Sequence, residues 1–248
     1  MNEIPNIVHY IWFGNNEKSE LIKTCIESWK KYLPDWEFME WNERNYDVNK
    51  SLYIKEAYES KKYAFAADYA RFDILYKYGG VYFDTDVELL KKIPEHFMKY
   101  DGFTAVEGNN KIAPGLVFAV KPKNKIVKEI KDLYDKEKFI INGEMNTNTV
   151  VEYTTSVFKK YGFKENGQFQ NIENIHVFPV EYFCAFDFDI REFNITKNTI
   201  SIHHYTATWV SSNLKLKRKV QNCLKKFLGV KVYKKLLNLK RKFFGVSN

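Results

Sequence analysis

The stretch Gly79-Gly80-Val81-Tyr82-Phe83-Asp84-Thr85-Asp86 decides how this chain reads. A helix that stops at a glycine pair, then an apolar strand ending in Asp-x-Asp, places two carboxylates at the C-terminal edge of a sheet. In open α/β sheets that edge is where ligands bind. Alternation puts Val81 and Phe83 on one face and Tyr82, Asp84 and Asp86 on the other. Two carboxylates on one face, roughly 6–7 Å apart, repel each other unless a cation lies beside them. A hard divalent ion, Mn²⁺ or Mg²⁺, meets that need and leaves room for substrate phosphates. Asp-x-Asp also occurs in solvated turns, so its neighbours matter.

The preceding segment, residues 61–78, has helical spacing. Ala64, Ala67, Asp68, Arg71, Leu75 and Tyr78 share one side of it. Asp68 and Arg71 are i, i+3 neighbours among small residues. They read either as a surface ion pair worth under about 1 kcal/mol or as a polar grip. In the second case Asp68 accepts from sugar hydroxyls and Arg71 donates to hydroxyl or phosphate oxygens. A third piece lies far along the chain, at His203-His204-Tyr205-Thr206-Ala207-Thr208-Trp209. Adjacent strand residues face opposite ways, so one imidazole of the pair can complete an N,O metal site while the other points away. A plain hydrogen-bonded histidine at a core edge is the other reading.

Around these pieces, apolar strands at 6–13, 36–41, 102–106, 116–120 and 200–205 alternate with helical stretches at 21–29, 124–135 and 147–161. That alternation predicts an α/β layered domain. With 248 residues, 45% of them hydrophobic, the chain can bury one sizeable core. No run of about 18 apolar residues occurs, which excludes a membrane-spanning helix. Met1 to Pro5 lacks a signal-peptide pattern, so the expectation is an unsecreted protein. Cys25, Cys184 and Cys223 have no pair spacing, which disfavours a disulfide framework or a zinc cage and fits a reducing cytoplasm.

The net charge of +8 is unevenly placed. Of the 39 Lys/Arg, 12 fall in residues 213–248, together with none of the 31 Asp/Glu, which leaves 27 basic residues in 1–212. The expected organisation is therefore a slightly acidic globular body, 1–212, and a cationic tail, 213–248. Within the tail, Leu216, Val220, Cys223, Leu224 and Phe227 recur at helical spacing, and Tyr233, Leu236 and Leu237 resume it after Gly229. A basic, acid-free amphipathic helix suits an anionic membrane face, with nucleic-acid phosphates as the alternative partner for its lysines; membrane is the expectation. Such a division argues against a nucleic-acid-binding domain, which would be basic throughout.

The order His-Tyr-Ile-Trp-Phe-Gly (9–14), Ala-Asp-x-x-Arg (67–71), Gly-Gly-x-Tyr-x-Asp-x-Asp (79–86) and His-Tyr-Thr…Trp (204–209) resembles the family 32 glycosyltransferases. These are capsule and lipopolysaccharide sugar transferases of bacteria and their mannosyltransferase relatives. The motif order is also similar to the glucosylating domain of large clostridial toxins and to the family 8 galactosyltransferases. The resemblance spans about residues 4–210. It implies a GT-A fold, a Rossmann-like mixed sheet flanked by helices, and retaining transfer of a hexose from a nucleotide-sugar, such as UDP-galactose or UDP-glucose. Mn²⁺ or Mg²⁺ would be the cofactor and a saccharide or lipid-linked molecule the acceptor. The implied location is cytoplasmic, on the inner face of a bacterial cell membrane.

Carried onto this sequence, the resemblance implies that Trp12 stacks on the nucleobase and that Asp68 and Arg71 hold donor-sugar hydroxyls. Tyr82 lines the pocket, Asp84 touches the ribose and reaches the metal through water, and Asp86 ligates it directly. His204 is the implied late metal ligand, with His203 facing away, and Trp209 donates to the β-phosphate. A Gly-Pro pair common in the family is replaced here by Asn146-Thr147-Asn148-Thr149, where Asn148 can reach the reacting sugar carbon. The second Asp-x-Asp, Asp187-Phe188-Asp189, lacks a glycine break and reads as a structural edge or acceptor-side loop. Two rival functions stay open, a metal-dependent phosphoesterase and a non-catalytic, membrane-bound nucleotide-sugar-binding protein. A glycosidase does not, because it needs carboxylates across a sugar, not two residues apart.

Overall fold

The computed structural model describes residues 3–187 and 192–205, together with Gly229 and Val232. The expected tail, 213–248, lies outside the described residues apart from those two. Strand β1 (Ile7–Ile11) leads into α1 (Glu20–Tyr32), and β2 (Glu37–Trp41) into α2 (Leu52–Glu59) and α3 (Tyr63–Tyr78). Next come β3 (Gly80–Tyr82), β4 (Val87–Leu89), β5 (Gly102–Ala105), β6 (Phe118–Val120) and α4 (Lys125–Lys136). A hairpin of β7 (Ile140–Ile141) and β8 (Glu144–Met145) precedes α5 (Val150–Lys160). The rest comprises β9 (Gln170–Ile172), β10 (Ile175–Phe178), α6 (Val180–Phe183), β11 (Phe186–Asp187), β12 (Glu192–Phe193) and β13 (Ser201–His203).

Seven strands form the central sheet in the order β2-β1-β3-β6-β5-β10-β9. β1 is parallel to β2 and β3, whereas β6 runs against both β3 and β5. β1, β3 and β5 therefore end at the same edge. Helices cover both faces, as the alternating pattern predicts. On one face Val8, Val81, Phe83 and Phe103 pack with Ile22, Ile26 and Trp29 of α1. On the other, Tyr82, Phe118 and Val120 pack with Phe72 and Leu75 of α3 and with Ile130 and Tyr134 of α4. Val81 and Phe83 thus do face away from Tyr82.

Helix α1 is positioned by its sequence at both ends. Ser19 caps it by accepting from the Ile22 N–H at 3.4 Å, and the apolar stripe ends in Trp29, which is fully buried. The Trp29 indole N–H donates to the Val87 carbonyl at 2.8 Å, so α1 supports the start of β4 directly beneath the acidic turn.

The glycine pair is required by conformation and by space. Gly79 and Gly80 have φ of 66° and 94°, which side chains with a Cβ rarely adopt. A Cβ on Gly80 would also lie 2.8 Å from the Ile7 carbonyl oxygen and 3.0 Å from His9 Nε2. His9 fills the space the glycine leaves. Its Nε2–H donates to the Gly79 carbonyl at 2.9 Å, and its Nδ1 accepts from the Trp41 indole N–H at 3.2 Å. Burial pushes the His9 pKa down to about 4, against the pull of the Gly79 carbonyl. The unfolded chain therefore takes up a proton first as pH falls. Stability should be fully present above pH 6.5 and decline by up to about 3 kcal/mol towards pH 4. Thermal melts of wild type and His9→Gln across that range should differ in slope, the variant being flatter.

Two expectations need correction, and one element was not foreseen. The acids do not extend the strand, because β3 ends at Tyr82 and residues 84–86 form a turn closed by the Val87 N–H donating to the Asp84 carbonyl at 3.1 Å. The chain must turn here because β4 leaves the central sheet to pair with β13. The strand expected from Leu116 begins at Phe118, since the Val117 carbonyl accepts from the Thr104 hydroxyl. The hairpin of β9 and β10 was not expected. Its turn residues Glu173 and Asn174 both have positive φ, and its polar edge strand hides the alternation.

Candidate active site

The C-terminal edge shared by β1, β3 and β5 gathers most of the residues singled out in the sequence. Asp68 and Arg71 of α3 are buried, at 8% and 3% exposure, so the surface-pair reading fails. The small neighbours Ala66 and Ala70 are themselves fully buried, so this side of α3 lies against the core. Arg71 Nη2 donates to Asp68 Oδ1 at 2.8 Å and to Asp84 Oδ1 at 3.1 Å, so one guanidinium ties helix and acidic turn together. Its carbon lies 4.6 Å from the centre of the Tyr82 ring, and the Tyr82 hydroxyl donates to Asp84 Oδ1 at 3.0 Å. Burial pushes the Asp68 carboxyl up to about 7, although Arg71 pulls it back. Arg71 Nε and Nη1 and the Tyr53 and Tyr134 hydroxyls are buried without hydrogen-bond partners among the described residues. Buried donors of this kind are normally satisfied, so these groups are set to meet polar partners.

Asp84 is held from a third side by a glycine the sequence reading missed. Its N–H donates to the Gly115 carbonyl at 2.9 Å, and a Cβ on Gly115 would stand 2.0 Å from Asp84 Oδ2. The glycine in Ala113-Pro114-Gly115 was the available signal. Gly115→Ala should leave the protein folded but push the Asp84 carboxylate away from Arg71 and Tyr82. If turnover depends on that carboxylate, the loss should approach the roughly 100-fold typical of a 1 Å misplacement. Donor-turnover assays and circular dichroism on the same preparation would check it.

Strand β13 brings the histidines in by pairing antiparallel to β4, with His203 opposite Val87. His203, not His204, meets the acids, which corrects the expected frame by one residue. His203 Nε2 lies 2.9 Å from Asp86 Oδ1 and 3.9 Å from Asp84 Oδ2. His204 turns to the opposite side and pairs with Glu88 at 2.8 Å. Alternation along the strand decides which ring faces inward, and the register with β4 was not legible in the sequence. Burial works to lower the His203 pKa, but Asp86, Asp84 and Glu107 raise it overall.

Ligand atoms of Asp84, Asp86 and His203 lie within 4.8 Å of one another. Neither ring nitrogen of His203 has a hydrogen bond of good geometry among the described residues, although both are buried. Two carboxylates and one imidazole form a hard, mixed N,O donor set that fits Mn²⁺ or Mg²⁺. If this is the cation site, His203→Ala should weaken Mn²⁺ binding at least tenfold, whereas His204→Ala, losing only a half-exposed pair with Glu88, should leave it unchanged. Manganese titration of both variants distinguishes them.

The remaining expected residues stand further off. Trp12 follows β1 at the same sheet edge and walls a cavity of about 160 Å³ with Asn16, Lys18, Glu40 and Arg44. Its indole N–H donates to the Asn16 carbonyl at 2.7 Å, which fixes the ring. Asn148 is exposed, and no hydrogen bond joins it to Asp68, Arg71 or the acidic turn among the described residues. Its neighbour Asn146 is the buried member of that loop and donates to the Tyr153 hydroxyl at 3.0 Å. Asp187 pairs in β11 with β12, in keeping with a structural edge. Trp209 and Asp189 lie outside the described residues.

The acidic turn, α1 and α3 all fall within one matched region. Residues 19–104 match a family model described as a glycosyltransferase sugar-binding region containing a DXD motif. That match covers less than half of the chain. Two relatives from Schizosaccharomyces pombe align over a similar extent. Inositol phosphoceramide mannosyltransferase 3 is 34% identical over 91 residues, covering 34% of this chain and 24% of the relative. Inositol phosphoceramide mannosyltransferase 1 is 31% identical over 98 residues, covering 35% and 29%. The aligned part thus spans about a quarter of the length of these curated relatives. Among solved structures, the PaToxG glycosyltransferase superposes with a TM-score of 0.47 at 21% identity, over 64% of this chain and 69% of that one.

Proposed function

We propose that this chain is a metal-dependent glycosyltransferase that moves a hexose from a nucleotide-sugar to a saccharide or lipid-linked acceptor, with retention at the anomeric carbon. The observation that carries the reading is the convergence of Asp84, Asp86 and His203 in front of the buried Asp68–Arg71 pair, at one sheet edge, the two acids and the buried pair lying within a matched DXD region. A divalent ion on Asp84, Asp86 and His203 would neutralise charge on the departing diphosphate. Asp68 and Arg71 fit the donor sugar, because one accepts from hydroxyls and the other keeps two donors unspent. Trp12 offers a fixed aromatic face for the base. Front-face displacement, with acceptor and leaving group on the same side of the sugar, is the path this reading takes.

A UDP-hexose is the first donor to test, and a mannosyl nucleotide the second, because both relatives are named mannosyltransferases. Their acceptor, a phosphoceramide, also favours a lipid-linked acceptor here. We place the enzyme in the cytoplasm on the inner membrane face, held by the cationic tail 213–248 on anionic lipid. The decisive experiment incubates the full chain with a panel of nucleotide-sugars, with and without Mn²⁺, and measures released nucleotide and transferred sugar. Metal-dependent release of nucleoside diphosphate from one donor supports the reading. Binding without turnover would favour the nucleotide-sugar-binding protein, and phosphate release from simple esters would favour a phosphoesterase.

A further inference from the structure

Glu107 is a half-buried carboxylate that none of the roles above uses. It lies two residues beyond β5, at the same sheet edge as the acidic turn, and a tight turn fixes its backbone. Its N–H donates to the Lys111 carbonyl at 3.0 Å and its carbonyl accepts from the Asn110 N–H at 2.8 Å. The side chain points towards β13. The Tyr205 hydroxyl donates to Glu107 Oε2 at 3.4 Å and lies 3.2 Å from Cys184 Sγ. The Tyr205 ring in turn meets the His203 ring edge-on, with centroids 4.1 Å apart. Glu107 also interacts electrostatically with His203 itself. The His203 ring is thus packed against an aromatic ring whose hydroxyl donates to a half-buried carboxylate.

A histidine that ligates a metal through one nitrogen needs its ring orientation set from the other side, commonly by a carboxylate. His203 presents Nε2 to Asp86, and its Nδ1 is buried without a hydrogen bond among the described residues. We propose that Glu107, acting with Tyr205, is a positioning residue for His203 and adds an outer negative charge that raises cation affinity at Asp84, Asp86 and His203. The inference rests on the metal site proposed above and deepens it. It also gives Tyr205 a role within His-Tyr-Thr that differs from ligation.

The test uses the full chain and Mn²⁺ alone, read by the electron paramagnetic resonance signal of the free ion, so it needs no turnover. Glu107→Gln should weaken Mn²⁺ binding by about 10- to 100-fold, the usual cost of losing such a partner. Its melting temperature without metal should stay close to wild type. Glu107→Asp, which keeps the charge, should recover part of the affinity. Tyr205→Phe removes one oxygen and gives a second handle should Glu107→Gln fold poorly; it should weaken Mn²⁺ binding severalfold. Wild-type affinity in Glu107→Gln, or in Tyr205→Phe where the first variant does not fold, would overturn the proposal. Absence of Mn²⁺ binding by the wild type would overturn the metal site itself, and this inference with it.

Discussion

Asp86→Ala is expected to abolish metal-dependent donor turnover and to leave a folded protein. Its carboxylate stands on the turn after β3, 2.9 Å from His203 Nε2, where it pays no part of the core's packing. Removing it takes away one of two carboxylates from the candidate ligand set and leaves His203 facing Asp84 alone, 3.9 Å away. If catalysis runs through charge neutralisation on the leaving diphosphate, losing the site should cost several kcal/mol of barrier, at least about a thousandfold in rate. Steady-state assays in excess Mn²⁺ alongside a far-ultraviolet spectrum would check it. Near-normal turnover would remove the acidic turn from the chemistry.

Arg71→Ala should have the largest effect on stability. Arg71 is 3% exposed and pairs with both Asp68 and Asp84, so its loss strands one buried carboxylate and frees another. Breaking a buried pair from one side costs about 3–5 kcal/mol. The stranded Asp68, already pushed up by burial, would then bind a proton more readily still. The variant's deficit should therefore grow as pH rises and the proton leaves, and shrink on mild acidification. Urea midpoints at pH 5 and pH 8 measure this. Equal deficits at both would mean that Asp68 does not carry the penalty. Arg71→Lys should recover only part of this, because an ammonium keeps the charge but loses the planar guanidinium that lies over the Tyr82 ring.

What could be read in the sequence follows the range of the signal. The glycine pair, the apolar spacing from Leu21 to Trp29 and the helical spacing around Asp68 are local, and each predicted its element. Asp-x-Asp announced its chemistry but not its backbone, because the turn at 84–86 depends on Gly115 and on β4 finding a partner over 100 residues away. The histidine pair shows the same limit. That one ring faces inward was legible from alternation, but the choice of His203 depends on the register of β13 with β4. In the sequence His9 reads only as part of a motif, and nothing local says that its ring locks the glycine turn. Glu107 was invisible because a lone acid after an apolar strand looks like any solvated residue.

The antiparallel pairing of β4 with β13 sets an order of assembly. Glu88 and His204 meet across 116 residues of chain, whereas every strand of the central sheet lies before residue 179. Contacts that close such long loops form late, because the entropy of bringing the ends together must first be overcome. A nascent or clipped chain that ends before residue 200 would keep all seven central strands and both acids, yet have no inward-facing histidine. Such a fragment would be a half-built enzyme with a finished scaffold, silent until its last strand docks.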